Sequence, residues 1–254
     1  MQLYVVLPAY NERENLEPLL ADLESVQARL DHPLHVILAD DGSQDGSAEI
    51  ARGFETRLDL KIIVHEKNMG FSEALRTGLK SALQWSRERR PGPDDAVLVM
   101  DADNSHPADL IFSMTGRLKK GYDVVIASRY APGGKQVGVP RLRMFLSRAC
   151  GWIFKSFFSL ENVRDYTSSF RMIRLKSLEN LAGKTDGRFY SEQGFVCACE
   201  LLFNLKRVGA RFTEVPMILR YDRKKGRSKM NVLKTIADYL GWMLRMKVRT
   251  TEGW

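Results

Sequence analysis

The sequence predicts an α/β fold in which a mainly parallel central sheet is flanked by helices. Short runs of β-branched and leucine residues alternate with segments whose apolar residues recur at helical spacing. This strand, helix, strand rhythm is typical of parallel strands joined by right-handed crossovers. A length of 254 residues suffices for one substantial core, with or without a small appendage.

Five strands are predicted in the first half of the chain, each from a short apolar run. They cover residues 3–7, 35–39, 61–64, 96–100 and 123–128. Between them, residues 14–30, 47–55, 71–88 and 108–121 carry apolar residues at helical spacing. Ligands of such sheets bind outside the carboxyl ends of the strands, so we expect the functional site there.

The alternation ends after residue 130. Residues 131–140 (APGGKQVGVP) are rich in Gly and Pro and predict a mobile loop. Beyond a basic and apolar segment at 141–160, we predict a helix over 194–207, a strand over 211–219 and a basic loop over 220–230. The resulting division is a catalytic domain over residues 1–230 and a C-terminal amphipathic helix and tail over 231–254.

The composition limits the class of partner. A formal net charge of +8 suggests an anionic partner, whether a phosphate-bearing ligand, a membrane surface or nucleic acid. Cys150, Cys197 and Cys199 form no CxxC pair, which favours buried thiols in a reducing, cytoplasmic compartment. We find no signal-peptide pattern and no window near the roughly 20 apolar residues that cross a bilayer, so any membrane contact is expected to be peripheral.

Polar and acidic groups directly follow three of the predicted strands. They are PAYNE at 8–12, DDGSQDGS at 40–47 and DADNSHP at 101–107. Because parallel strands end at one edge of the sheet, these groups are expected to converge. Asp101 and Asp103 are suited to hold Mg²⁺ or Mn²⁺ against a diphosphate, since these cations favour carboxylate oxygens. The alternative is a turn with a helix cap, which is compatible with a metal site.

Eight motifs in order resemble one enzyme family. They are VVLPAYNERENL, ADDGSQDGS, MDADNSHP, ASRY, RMFLSR, DYTSSFR, GFVCACE and RKKGRSKM. Over about residues 2–230 the chain resembles the inverting nucleotide-sugar glycosyltransferases of family 2. Within that family it resembles the dolichol- or polyprenol-phosphate mannose synthases of the short type, without transmembrane helices.

The resemblance implies a GT-A-type fold and a set of site residues. Those implied around the nucleotide are Pro8, Tyr10, Glu12, Asp41 and Asp101. Those implied around Mg²⁺ or Mn²⁺ are Asp101, Asp103 and Ser105. The catalytic set is Asp103, Arg129 and Arg223, and the acceptor-phosphate set is Arg143, Ser147, Asp165 and Lys229. Guanidinium groups suit the phosphate-binding role because they bind phosphate oxygens bidentately and stay charged.

The expected reaction is transfer of a hexose from a nucleotide sugar, most simply mannose from GDP-mannose, to a polyprenyl or dolichyl phosphate. Asn68, Gly70 and Ala74 depart from the Gly-Leu-Gly pattern of mannose synthases, which keeps a UDP-sugar such as UDP-glucose open. Ser105 stands where some relatives have Gln. A phosphate acceptor, with a second pKa near roughly 6, needs no general base. A saccharide hydroxyl would need one, and Asp165 and Glu192 are the candidates.

The remaining expectations concern partners. Residues 141–160 interleave basic and aromatic side chains, which is typical of a helix in a bilayer interface or of a core helix with charged ends. The tail helix is expected to dock on the domain. We predict peripheral contact with the cytoplasmic face of a membrane, or a membrane-protein partner, and no nucleic acid. A non-catalytic nucleic-acid-binding or scaffold protein is the alternative outside the enzymes, and the oligomeric state stays open.

Overall fold

A computed structural model of the chain describes residues 1–157, 160–226 and 232–251. Its strands are β1 (Leu3–Ala9), β2 (Leu34–Asp40), β3 (Asp59–Val64), β4 (Ala96–Val99), β5 (Val124–Ser128), β6 (Lys135–Val137), β7 (Arg171–Arg174), β8 (Phe212–Pro216) and β9 (Ile218–Arg220). Seven of them form one sheet in the order β3-β2-β1-β4-β7-β5-β8, and β6 pairs with β9. Only β7 runs antiparallel to its neighbours in the seven-stranded sheet. The mainly parallel sheet predicted from the sequence is therefore confirmed.

Helices cover both faces of this sheet. They are α1 (Arg13–Gln27), α2 (Ser47–Arg52), α3 (Phe71–Glu88), α4 (Leu110–Lys119), α5 (Arg141–Phe157), α6 (Leu175–Lys184), α7 (Val196–Arg207) and α8 (Val232–Thr251). One core cluster lies between the sheet and α1, α2 and α4. A second cluster joins the opposite face to α3 and α5–α8. Each strand of the sheet centre is thus buried on both sides, which is why it reads as a continuous apolar run.

Strand β1 illustrates how the sequence specifies the layers. All seven of its residues are buried. Tyr4 and Val6 belong to the cluster under α3, whereas Leu3, Val5 and Leu7 belong to the cluster under α1, as the two-residue period of a strand requires. Helix α3 approaches β1 closely at Gly78, where an added Cβ would collide with Val6.

The structure adds elements that the sequence patterns did not predict. Strand β7 carries arginines at both ends, so it has no apolar run, and α6 follows it directly. The Gly- and Pro-rich segment at 131–140 contains β6, so the prediction of a loop without secondary structure was wrong there. The strand predicted over 211–219 is divided at Met217 into β8 and β9, which belong to different sheets.

Helix α8 packs on the domain, as predicted for the tail. Tyr239, Trp242 and Met243 are buried in the cluster that also contains residues of α5 and α7. The division into residues 1–230 and 231–254 stays a prediction. Among the described residues, no helix has both the length and the apolar character needed to cross a membrane.

Candidate active site

A cavity of about 520 Å³ opens at the carboxyl ends of β1, β2, β4 and β5. Ten of the residues predicted for the site line it: Pro8, Tyr10, Glu12, Asp41, Asp101, Asp103, Ser105, Arg129, Arg143 and Ser147. These residues come from separate strand ends and from α5, far apart in the chain. The predicted convergence at one edge of the sheet is therefore confirmed, whereas the individual roles stay predictions.

Asp41 shapes the wall of this cavity on the β2 side. One carboxylate oxygen accepts the Met69 N–H at 2.8 Å and the other accepts the Gly70 N–H at 2.7 Å. The His65 ring lies 2.8 Å from the first oxygen and 2.9 Å from the Thr77 hydroxyl. Gly70 has a φ of 93°, which a side chain would strain. Asp41 thus fixes the backbone that faces the predicted nucleotide.

Glu12 is joined to the basic loop through Asn15. The Asn15 amide donates to the Glu12 carboxylate at 2.6 Å. The same side chain accepts the Lys225 N–H at 2.8 Å and donates to the Lys225 carbonyl at 3.1 Å. A loop more than two hundred residues later in the chain is thereby held against the start of α1.

The acidic pair lies in the turn after β4. The Ser169 hydroxyl donates to Asp101 at 2.7 Å. One oxygen of Asp103 accepts the Ser105 N–H at 3.1 Å and its hydroxyl at 2.6 Å, and the other accepts Lys224 Nζ at 2.7 Å. Burial by itself would raise the pKa of Asp103, but Lys224, the His106 ring and these hydrogen bonds outweigh it and hold that pKa below its usual value. Asp103 is therefore a carboxylate at neutral pH.

These residues fit Mg²⁺ or Mn²⁺. Asp101, Asp103 and the Ser105 hydroxyl offer only oxygen donors, which such hard cations favour. Within the described ranges, no group of three or more His, Cys, Asp or Glu side chains is arranged to hold a metal by itself. Mg²⁺ is commonly held by one or two carboxylates together with water and substrate phosphates, so the donor set suits a metal that binds with a diphosphate.

Arg129 forms a buried ion pair with Asp165 behind the cavity wall. Its guanidinium donates to both carboxylate oxygens, at 2.8 and 2.6 Å, and also to the Thr167 hydroxyl at 2.7 Å. Burial by itself would raise the pKa of Asp165, but the facing guanidinium outweighs it and lowers that pKa. Asp165 is not among the residues lining the cavity, so it can act on an acceptor only through Arg129.

Helix α5 supplies the next two predicted residues on one of its faces. Arg143 donates to the Tyr221 hydroxyl at 3.0 Å, and Ser147 accepts from the Tyr130 hydroxyl at 2.9 Å. The two are four residues apart, so they lie one helical turn apart along the cavity. Both hydroxyl partners come from loops outside the helix and fix where these side chains point.

Two of the residues considered for the site lie elsewhere, and a third is outside the described residues. Arg223 is half exposed and its guanidinium faces Asp22 at 3.6 Å, and it does not line the cavity. Lys229 lies outside the described residues. Glu192 is paired with Arg245 of α8, with contacts of 3.0 and 2.8 Å, and does not line the cavity either.

Sequence reasoning did not single out several residues that complete the site. They are Asn15, His106, Ser169, Tyr221 and Lys224. Lys224 lies inside the basic run that was recognised, but no pattern in that run distinguishes it from its neighbours. The others make contacts across long stretches of chain that only the fold brings together.

Part of the cavity lining is apolar. These residues come from α5, α7, α8 and the segment before α7, and include Leu146, Cys150, Phe195, Ala198 and Ile236. The outer face of α5 exposes Phe145 by 69% and Trp152 by 74%. The cavity lining therefore combines acidic, metal-compatible groups, Arg129 and Arg143, and apolar side chains, some of them from the helix that exposes Phe145 and Trp152.

The sequence pattern of "Glycosyl transferase family 2" matches residues 4–182, which include the strand ends that carry the acidic pair and Arg129. The chain belongs to glycosyl transferase family 2. It is therefore a glycosyltransferase, as the resemblance implied.

Two curated proteins are similar over nearly the whole chain. Dolichol-phosphate mannosyltransferase of Pyrococcus furiosus is 30% identical over 97% of this chain and 64% of its own length. The chain thus spans less than two thirds of that relative. Polyprenol monophosphomannose synthase of Mycolicibacterium smegmatis is 29% identical over 98% of this chain and 89% of its own length.

Solved structures of two other proteins share the fold. Mannosyl-3-phosphoglycerate synthase from Rubrobacter xylanophilus superimposes with a TM-score of 0.65 at 15% identity, covering 99% of this chain and 75% of that one. Glucosyl-3-phosphoglycerate synthase from Mycobacterium tuberculosis, in complex with Mn²⁺, UDP and phosphoglyceric acid, gives a TM-score of 0.61 at 20% identity, covering 96% and 75%. The GT-A-like fold expected from the resemblance is confirmed.

Proposed function

We propose that this glycosyltransferase is an inverting, Mg²⁺- or Mn²⁺-dependent enzyme that transfers mannose from GDP-mannose to a polyprenyl phosphate. The observation that carries the proposal is the composition of the cavity lining. Its carboxylates suit a metal and a nucleoside diphosphate, its two arginines suit a phosphate, and its apolar side chains suit an isoprenoid chain. The names of the Pyrococcus and Mycolicibacterium relatives support the same acceptor class.

The leaving group would be stabilised at the acidic pair. A metal bound there would neutralise the charge that develops on the leaving diphosphate. Asp103 and Asp101 would hold it, and Ser105 orients Asp103 through its N–H and hydroxyl. Asp41 fixes the backbone of Met69 and Gly70. Glu12 holds the Asn15 amide that anchors the Lys225 backbone, so donor binding costs little reorganisation.

Arg129 and Arg143 would bind the acceptor phosphate. Arg129 is held rigidly by Asp165, and Arg143 by the Tyr221 hydroxyl, so both guanidinium groups are oriented before an acceptor arrives. A phosphate dianion between them can attack the anomeric carbon from the face opposite the leaving group, which inverts that centre. No proton has to be removed, because the second pKa of a phosphate monoester lies near roughly 6.

The placement of the two carboxylates weighed as general bases supports a phosphate acceptor over a sugar hydroxyl. Asp165 is committed to Arg129 and has a lowered pKa, which makes it a weak base. Glu192 is committed to Arg245. A hydroxyl acceptor would need a free carboxylate within hydrogen-bond reach.

A UDP-sugar donor is the second candidate. The solved structures from Mycobacterium tuberculosis include complexes with UDP and with UDP-glucose. The Asn68 and Gly70 segment, which departs from the mannose synthase pattern, faces the cavity next to Asp41. A transfer assay with both GDP- and UDP-sugars distinguishes the two donors.

We also propose that α5 touches the cytoplasmic face of a membrane, where the acceptor lipid resides. Phe145 and Trp152 lie seven residues apart on its exposed face, together with the exposed basic residues Arg141, Arg148 and Lys155. Aromatic side chains at the acyl boundary with cations at the headgroups are typical of interfacial helices. Such contact would place α5, which also lines the cavity, at the membrane that holds the lipid.

The test is a transfer assay with purified protein, Mg²⁺ or Mn²⁺, a panel of GDP- and UDP-sugars and a short polyprenyl phosphate in detergent. Formation of mannosyl phosphoryl polyprenol from GDP-mannose alone is the expected result. Transfer from a UDP-sugar would refute GDP-mannose as the donor. Transfer to a sugar hydroxyl without any lipid phosphate would refute polyprenyl phosphate as the acceptor.

A further inference from the structure

Lys224 is the cation that contacts Asp103, and the proposed function gives it no role. Its ammonium lies 2.7 Å from the carboxylate oxygen that Ser105 does not occupy. Both side chains are largely buried, with 11% of Lys224 and 13% of Asp103 exposed. A lysine in this position holds the carboxylate that the metal would need.

The chain on both sides of Lys224 is fixed to the site. On one side, the Arg220 N–H donates to the Ser105 carbonyl at 2.9 Å, so the end of β9 is joined to the turn of the acidic pair. On the other side, the backbone of Lys225 is bonded twice to Asn15. The tyrosine that accepts from Arg143, Tyr221, lies in the same segment, with its ring 5.8 Å from Lys224 Nζ. The ammonium is therefore delivered to Asp103 by a well-anchored segment.

The contact conflicts with metal binding. One oxygen of Asp103 is occupied by Ser105 and the other by Lys224. A divalent cation on the same carboxylate would stand within a few ångströms of the ammonium, and repulsion between like charges is strong in a partly buried site. An ammonium displaced from Asp103 needs another anion, and a long, flexible lysine stem can reach one nearby.

We propose that Lys224 holds Asp103 in the free enzyme and passes to the diphosphate of the donor when the nucleotide sugar binds with its metal. This rests on the proposed function and adds a phosphate-positioning residue to it. Lys224 then stabilises the site in two states of the enzyme. It supplies the missing positive charge when the metal is absent, and it contributes to holding the leaving diphosphate when the donor is present.

The exchange has a signature of two opposite effects. Replacing Lys224 by Met removes the cation that competes with the metal, so Mn²⁺ alone binds more tightly. The same replacement removes a charge-assisted hydrogen bond to the diphosphate, so GDP binds more weakly. Met keeps an unbranched apolar stem of similar length, so packing around the segment is preserved. A purely structural lysine would weaken both.

The experiment compares the unmodified protein with three variants, Lys224→Met, Lys224→Arg and Lys225→Met. Lys225 is the matched control, because its side chain is exposed and only its backbone is bonded to Asn15. Binding of Mn²⁺ alone is measured by electron paramagnetic resonance. Binding of GDP, and separately of UDP, is measured by calorimetry at saturating Mn²⁺, and thermal unfolding reports whether each variant is folded.

For Lys224→Met we expect Mn²⁺ to bind about tenfold more tightly and GDP about tenfold more weakly, the effect of losing one charge-assisted hydrogen bond in each state. Lys224→Arg should retain most GDP affinity, and Lys225→Met should change neither constant by more than about twofold. If Mn²⁺ and GDP both bind more weakly, or if neither affinity changes, the proposed exchange is refuted. If Lys224→Met does not fold, Lys224→Gln is measured against the same criteria.

Failure of the proposed function is seen separately, in the unmodified protein. If it binds neither GDP nor UDP with Mn²⁺, the donor assignment and the exchange are both refuted before any variant is compared. If it binds nucleotide normally and only the Lys224→Met pattern is absent, the exchange alone is refuted.

Discussion

Replacing Asp165 by Asn should destabilise the fold strongly although it changes only one atom. The Asp165 side chain is fully buried and that of Arg129 is 14% exposed. Removing one partner of a buried ion pair leaves the other charge uncompensated, which costs about 3–5 kcal/mol. That is a large part of the roughly 5–15 kcal/mol by which a typical domain is stable.

The contacts of the pair give a similar magnitude. One oxygen of Asp165 accepts the Arg129 backbone N–H at 3.0 Å and its Nε at 2.8 Å. The other accepts Arg129 Nη2 at 2.6 Å and the Ser168 N–H at 3.1 Å. Whichever oxygen becomes an amide, at least two donors lose their acceptor. At about 1–3 kcal/mol for each such donor, the expected loss is about 2–6 kcal/mol.

The assay is urea denaturation followed by tryptophan fluorescence and circular dichroism. The matched control is Asp186→Asn, since Asp186 is 93% exposed and its contact with Arg188 measures 3.9 Å. The control should change the free energy of unfolding by less than about 0.5 kcal/mol. A loss below about 1 kcal/mol for Asp165→Asn would refute the view that this pair is structurally essential.

The same ion pair predicts how the stability of the fold depends on pH. Burial raises the pKa of Asp165 and the Arg129 guanidinium lowers it, with a net lowering below the unfolded value of about 3.9. Stability from the pair is therefore fully present above that unfolded value and is lost as pH falls through the folded pKa. The difference in the free energy of unfolding between the parent protein and Asp165→Asn should therefore shrink below about pH 4. A difference that grows on acidification would contradict the lowered pKa of Asp165.

Three further changes test other parts of the structure. Asp103→Ala should lower transfer by about 100-fold or more while the thermal unfolding transition is retained, and undiminished activity would remove the metal assignment. Phe145→Ser with Trp152→Ser should abolish flotation with anionic vesicles and leave GDP binding unchanged; full flotation would place the membrane contact elsewhere. Gly78→Ala should cost about 1–3 kcal/mol in urea unfolding, because the added Cβ collides with β1. Gly183→Ala, whose Cβ meets nothing within 4 Å, should not destabilise the protein.

The sequence predicted the parallel part of the sheet well because its central strands, such as β1 and β2, are buried on both faces. Residues 3–7 and 35–39 lie inside β1 and β2, and the acidic turns were expected at the edge where the structure has them. Strand β7 was not predicted because Arg171 and Arg174 interrupt the apolar pattern of a strand. Arg171 is nonetheless buried, with its guanidinium bonded to the carbonyls of Tyr166 and Ala198. Such compensation comes from distant chain segments, so local periodicity does not contain it.

By itself, the sequence determined the fold class, the family and the edge of the sheet at which the site lies. These depend on short-range patterns: apolar runs of strand length, helical spacing between them, and polar motifs directly after strands. Tertiary structure decided which charges meet. It paired Arg129 with Asp165, turned Arg223 toward Asp22 and brought Lys224, rather than its basic neighbours, to Asp103. The reason is physical, since the charge partner of a side chain is set by the relative positions of elements far apart in the chain, which no local pattern specifies.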